Sequence, residues 1–407
     1  MSKSERRTAR LMSVVALSVA ALAPSMAAGE PAGPSEAIKE LRRIFFSDPK
    51  INVLTFHNID EIFHTIPVEA AKRPWRLTYD EKKPDFTYAY DGEDYAAEDV
   101  LERTYTNALL IIKDDKIVYE RYRNLTDEDT HFLSMSMAKS ITSVLVGIAV
   151  EQGLISSVDD QIVKYVPELK GSAYDGVTVR QALLMKTGVN RADNYDPSPD
   201  SAMSRLREKT MVLNEARATE EALLVERIHE PGTQFSYSTL NTTVLGWVLE
   251  KAAGEPLPTY MERVLWKPMG AESYGFWMAD GPEGVGRATN GMGYNAVLRD
   301  YARFGLMMLH EGKANKRQIV SRDWVEESTI PEGPEPASED SDQGYQYQWW
   351  TLTDSNAYMA VGLQGQFIYI DPDTDTVVVK LSYFPLGARE PYRESEAFFR
   401  AASAWRP

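Results

Sequence analysis

Two strand–turn–strand signatures stand near opposite ends of this chain, and any fold it adopts must accommodate both. Residues 108–112 and 117–119 are apolar runs split by Lys113-Asp114-Asp115-Lys116, and polar turn residues between apolar runs mark a β-hairpin. Residues 367–370 and 376–381 flank Asp371-Pro372-Asp373-Thr374-Asp375 in the same way. Strands at both ends with helical pattern between them imply one antiparallel sheet closed by sequence-distant strands.

The middle of the chain reads as helices. Ile141, Val144, Leu145 and Ile148 make one apolar stripe, with Gly153 placed to cap the end. Similar periodicity recurs over 179–185, 220–228, 243–253 and 298–309, whereas 331–344 is a polar loop without period. Residues 28–95, rich in Pro, Lys and Asp, read as a leading arm that packs on the domain. No internal repeat is visible.

Composition narrows the partners. With 407 residues, 43% of them hydrophobic, the chain can bury a large core without disulfides, and it has no cysteine from which to make them. The absence of cysteine also excludes thiolate catalysis and cysteine-held zinc. A formal net charge of −16 repels nucleic acid and anionic membranes alike. At the N-terminus, Arg6, Arg7 and Arg10 precede an apolar run over 11–23 and Ser25-Met26-Ala27. That order is the signature of a cleavable export signal over 1–27, and the run is too short to span a bilayer comfortably, with an uncleaved anchor or a disordered tail the alternative. The expectation is a periplasmic or secreted bacterial protein.

The common hydrolase signatures are missing. There is neither a G-x-S-x-G elbow nor an H-E-x-x-H helix, and the five histidines show no triad or ligand spacing. What stands out is Ser136-Met137-Ala138-Lys139 at the start of the 141–148 stripe. A spacing of three puts both side chains on one helical face. A serine in the first turn keeps its own N–H among the unpaired donors, ready for an oxyanion. A lysine packed against such a helix is desolvated, which lowers its pKa toward neutrality. The pattern alone is weak: Ser47-Asp48-Pro49-Lys50 has it too, and Pro49 makes that copy a turn.

Later motifs give the pair its context. Pro231-Gly232-Thr233-Gln234-Phe235-Ser236-Tyr237-Ser238-Thr239-Leu240-Asn241 is a turn leading into a helix, and Gly362-Leu363-Gln364-Gly365-Gln366-Phe367-Ile368-Tyr369 is a glycine-rich entry to a strand. Together with Thr178–Leu184 and Arg299–Gly305, these segments resemble the serine β-lactamase and penicillin-binding-protein superfamily, the class C β-lactamase-related hydrolases. The likeness spans roughly 100–395. Phe235-x-Tyr237 followed by Asn241-Thr242-x-Val244-Leu245 looks most like its esterase and 6-aminohexanoate-dimer hydrolase branch.

The resemblance implies an α/β (α+β) fold of the β-lactamase/transpeptidase type: an antiparallel sheet flanked by helices, over 96–150 and 285–407, with an inserted all-helical domain over 151–284. It implies Ser136 as nucleophile, Lys139 beside it and Tyr237 as general base in acylation. Paired N–H groups of Ser136 and Leu363 would form the oxyanion hole, with Gln366 the alternative second donor if the register runs on Gly365. Tyr195, Thr239, Asn241 and Gln364 are candidate substrate contacts, and Asp193 and Asp196 share a polar turn with Tyr195. Trp349 and Trp350 read as core or rim packing. Where related enzymes carry Lys-Thr-Gly on a strand, this chain aligns Ala360-Val361-Gly362, while its own Lys186-Thr187-Gly188 precedes Tyr237 and reads as a helix C-cap. A β-lactam carboxylate thus loses its usual cation. The expected substrate is a small-molecule ester or linear amide, with no metal or cofactor. A D-alanyl-D-alanine carboxypeptidase or β-lactamase is the alternative, and a catalytically silent binding protein on the same fold is a third possibility. The sequence leaves oligomeric state open.

Overall fold

The computed structural model describes residues 33–193, 201–331 and 343–407. Its main sheet has eight strands, and the two hairpins read from the sequence lie side by side in it. Thr106–Lys113 and Lys116–Tyr122 form the first, turning through Asp114 and Asp115 at φ 47° and 65°. Two left-handed residues in a two-residue loop match the right-handed twist of the strands. Gln366–Asp371 and Thr376–Ser382 form the second, and Thr376–Ser382 then pairs antiparallel with Thr106–Lys113. The sheet is therefore closed by strands from opposite ends of the chain. Tyr358–Gly362, Trp349–Leu352 and Gln343–Gln346 extend it on the far side.

Several expectations change in the folded chain. The helix that follows Ser136, Met137–Glu151, is covered well beyond its apolar stripe: residues 137–149 are all buried, because the sheet covers one side and Thr239–Ala253 packs on another. Its end is as expected, with Gly153 at φ 69°. The 220–228 segment is helical only over Ala218–Leu223, as a short 3-10 turn. The helix Val179–Leu183 is closed by Met185 at φ 57°, so Lys186-Thr187-Gly188 follows the cap rather than forming it. Ser47 and Asp48 do form a turn, and Asp48 then N-caps Pro49–Thr55 with the proline at its first position. The 332–342 part of the polar loop lies outside the described residues, and Gln343 already begins a strand.

The boundary expected at 284/285 cuts through a second, four-stranded sheet. Gly275–Met278 pairs there with Tyr294–Val297 and with Thr65–Val68, so the 151–284 segment is not wholly helical. The fourth strand, His131–Leu133, leads directly to Ser136. The leading arm is also more than a packing segment. It supplies strands to both sheets, and Arg42 pins its first helix, Glu36–Ile44, by donating to the carbonyls of Ile62 (2.7 Å) and Val212 (3.2 Å).

Candidate active site

The approach to Ser136 is constrained on both sides. Met135 immediately before it sits at φ 44°, a left-handed conformation that costs a side-chain-bearing residue of the order of 1 kcal/mol or more. The Ser134 N–H donates to the Tyr294 carbonyl at 2.7 Å, fixing the strand before the turn. Gly362 closes the other side: a Cβ there would lie 2.4 Å from the Ser134 carbonyl oxygen. Only glycine lets the strand Tyr358–Gly362 come this near the turn that carries Ser136. Gly362 ends that strand and Gln366 begins the next, so the glycine-rich segment is the turn of a hairpin rather than simply a strand entry.

Lys139 is fully buried, and its Nζ donates to Ser136 Oγ (2.9 Å), Thr239 Oγ1 (2.9 Å) and the Gly291 carbonyl (2.8 Å). Burial pushes its pKa down to about 8, against the opposing pull of the Asp193 carboxylate. The Tyr237 ring faces the same nitrogen, with its centroid 5.0 Å away, and packs against Trp350 at 5.8 Å. Trp349 is a fully buried core residue.

Thr239 and Asp193 continue the polar chain. Thr239 donates from Oγ1 (2.5 Å) and from its N–H (2.9 Å) to Asp193 Oδ2. The other Asp193 oxygen accepts from Arg191 at 3.2 Å, and the Asp193 N–H donates to the Tyr237 carbonyl at 2.9 Å. A continuous line of hydrogen bonds thus runs Asp193–Thr239–Lys139–Ser136, linking residues from three separate stretches of chain. Sequence reading placed Asp193 in a polar turn and Thr239 among possible substrate contacts. It missed Gly291 altogether, since a backbone carbonyl has no residue signature.

The other candidates separate cleanly. Ser136, Thr239 and Leu363 line one cavity of about 140 Å³, whereas Gln366 is paired with Gly362 inside the sheet. The N–H groups of Ser136 and Leu363 donate to no other protein group among the described residues. Asn241 and Gln364 do not reach the cavity, which corrects their assignment as substrate contacts. Asn241 Oδ1 is buried and accepts from Tyr174 (2.8 Å) and Thr187 (3.0 Å). Gln364, at φ 62° in the hairpin turn, sends its amide to the Phe384 carbonyl at 2.8 Å. Tyr195 and Asp196 lie outside the described residues. None of the five histidines lines the cavity. The leading arm does: Phe45 and Phe46 form part of its wall, opposite Leu363 in sequence by most of the chain's length.

A helix-borne serine bonded to a buried lysine, under a glycine-tightened hairpin, defines the class: a serine hydrolase site on a mixed α/β fold. The family profile described as Beta-lactamase matches residues 98–396, and the chain belongs to that family. A curated relative, 6-aminohexanoate-dimer hydrolase of Paenarthrobacter ureafaciens, is 34% identical over 304 residues, covering 70% of this chain and 74% of that protein. Esterase EstB of Burkholderia gladioli is 28% identical over 198 residues, covering 44% of this chain and 49% of its own. A solved Bacillus anthracis structure, provisionally named a 6-aminohexanoate-dimer hydrolase, superposes with a TM-score of 0.80 at 22% identity, over 92% of this chain and 98% of that one. At that identity it establishes the fold. The chain is a serine hydrolase of the β-lactamase and penicillin-binding-protein superfamily.

Proposed function

We propose that this protein is an exported hydrolase of esters or linear amides that works through an acyl-enzyme on Ser136. The 2.9 Å bond between Ser136 Oγ and the buried Lys139 Nζ carries the reading. In the first step Lys139, in its neutral form, takes the Ser136 proton as Oγ bonds to the substrate carbonyl carbon. The oxygen of that carbonyl becomes an oxyanion between the Ser136 and Leu363 N–H groups. Collapse breaks the bond to the alcohol or amine, which leaves with the proton held on Lys139. Water then repeats the sequence on the acyl-enzyme, releasing the acid and restoring Ser136. Tyr237, which the resemblance makes the acylation base, faces the lysine nitrogen and is here the second proton-handling group of a Ser-Lys-Tyr mechanism.

Two observations support ester and linear amide substrates over β-lactams. Ala360, aligned where related enzymes carry a cation, is apolar and fully buried. A curated relative 34% identical over 304 residues is named 6-aminohexanoate-dimer hydrolase. Export rests on the basic, apolar and small-residue order of residues 1–27. No helix among the described residues is long and apolar enough to cross a membrane.

A fluorophosphonate probe is expected to label Ser136, and the protein is expected to hydrolyse short-chain nitrophenyl esters far faster than nitrocefin. Rapid nitrocefin hydrolysis would transfer the reading to β-lactamase; no labelling of folded protein would favour a silent binding protein.

The identity of the base has its own test. If neutral Lys139 is required, kcat/KM should rise with pH through about 8, the value to which burial lowers this lysine. Asp193 holds that pKa up, so Asp193→Asn should move the rising limb to lower pH. A limb that falls through the same region would instead require charged Lys139 and make Tyr237 the base.

A further inference from the structure

The cavity beside Ser136 has three arginines on its wall, and two of them are neutralised. Arg191 bonds Asp193 at 3.2 Å and Glu221 at 2.7 Å, and Arg287 pairs with Glu250. Arg207, the last residue of the helix Ala202–Arg207, makes no hydrogen bond or ion pair among the described residues. Its guanidinium lies over the Phe46 ring instead, with the ring centroid 4.7 Å from the guanidinium carbon.

The reason Arg207 is left over is visible next to it. Glu208, the adjacent carboxylate, is already held by Arg43 of the leading arm, through Nη2 at 2.8 Å and Nε at 3.1 Å. The arm therefore does two things at this wall: Arg43 removes the obvious counter-ion, and Phe46 gives the guanidinium a flat apolar face to rest on. Burial pushes the Arg207 pKa down against the smaller opposing pull of the Glu208 carboxylate, but arginine stays protonated in proteins. A half-buried, positively charged fork with free donors can exchange its water for an anion, gaining a charge-assisted bond. Its planar geometry suits a carboxylate, which it can bind through two parallel N–H···O bonds.

We propose that Arg207 is the binding site for a carboxylate of the substrate, so that the protein acts on carboxylate-bearing esters or linear amides. This rests on Ser136 being the nucleophile, because the substrate is placed by the cavity the two residues share. The carboxylate can belong to the acyl part or to the leaving part, and two pairs of substrates separate these cases. The first pair is the mono-4-nitrophenyl ester of adipic acid against 4-nitrophenyl hexanoate. The second is the hexanoyl ester of 3-(4-hydroxyphenyl)propionic acid against the same compound as its methyl ester.

The readout is the ratio of kcat/KM for the acid to that for its neutral partner, measured within each variant so that any general loss of activity cancels. The wild-type ratio should be about 10- to 100-fold in one pair, the scale of a charge-assisted hydrogen-bonded contact. Arg207→Gln should bring it close to one, mainly through KM, Arg207→Lys should keep part of it, and Arg207→Glu should invert it. Ratios in both pairs that are the same for wild type and Arg207→Gln would overturn the assignment, as would an equal loss in the Gln and Lys variants. Failure of the nucleophile reading looks different: the wild-type protein would not turn over even the neutral esters.

Discussion

Ser136→Ala should reduce turnover of a chromogenic short-chain ester by about 10⁴–10⁶-fold, the scale seen when the nucleophile of a serine hydrolase is removed. The geometry leaves no substitute. Thr239 carries a hydroxyl on the cavity wall that shares Lys139 with Ser136, but its proton is committed to Asp193 at 2.5 Å. Lys139 would keep its contacts to Thr239 and Gly291 and lose only the Ser136 oxygen. The variant should consequently fold like the parent, so that lost activity is not lost structure. Thermal unfolding and steady-state hydrolysis on the same preparation separate the two. Abundant turnover by the alanine variant would sink the acyl-enzyme on Ser136.

Gly362→Ala should lower kcat by about 10²–10³-fold, the cost of removing one oxyanion donor, with a smaller effect on KM. The added Cβ would stand 2.4 Å from the Ser134 carbonyl oxygen, 2.8 Å from Gln366 Cβ and 3.0 Å from Met135 Cβ. The nearest of these atoms is backbone, so the crowding cannot be relieved by a side-chain rotation. The strand Tyr358–Gly362 must move away from the nucleophile turn, and the Leu363 N–H moves with it. Overpacking of this kind typically costs about 1–3 kcal/mol, which a chain with so large a core should survive. The comparison to make is kcat against the rate of fluorophosphonate labelling: both should fall. Unchanged values for both would remove Leu363 from the oxyanion hole.

These two sites differ in how they could be known. Ser136 and Lys139 are three residues apart on one helix, and helical geometry alone brings their side chains together. The hairpins at 106–122 and 366–382 were readable for a similar reason: each is a local alternation around a turn, although their mutual pairing came from topology rather than local pattern. The helix stripe at 141–148 named one buried face and was silent on the others, because periodicity reports a preferred face and cannot tell whether other elements cover the rest. Asn241 and Gln364 did mislead, since a polar side chain near a motif looks alike whether it faces a substrate or a buried neighbour.

The Ser136–Lys139 pair and each hairpin were thus visible before any fold was known, because each rests on contacts within a few residues, whereas the distant Tyr237 and Gly362 motifs were needed to set that pair apart from Ser47–Lys50. The Asp193–Thr239–Lys139 relay, the Gly291 carbonyl and the Gly362 close approach required the folded chain, for they join segments tens to hundreds of residues apart. The leading arm shows the difference most sharply. Its sequence says only that it packs somewhere, while its fold puts Phe46 beneath Arg207 and Arg43 on Glu208. Charge pairing is a matter of distance in space, and along the chain that distance is not written.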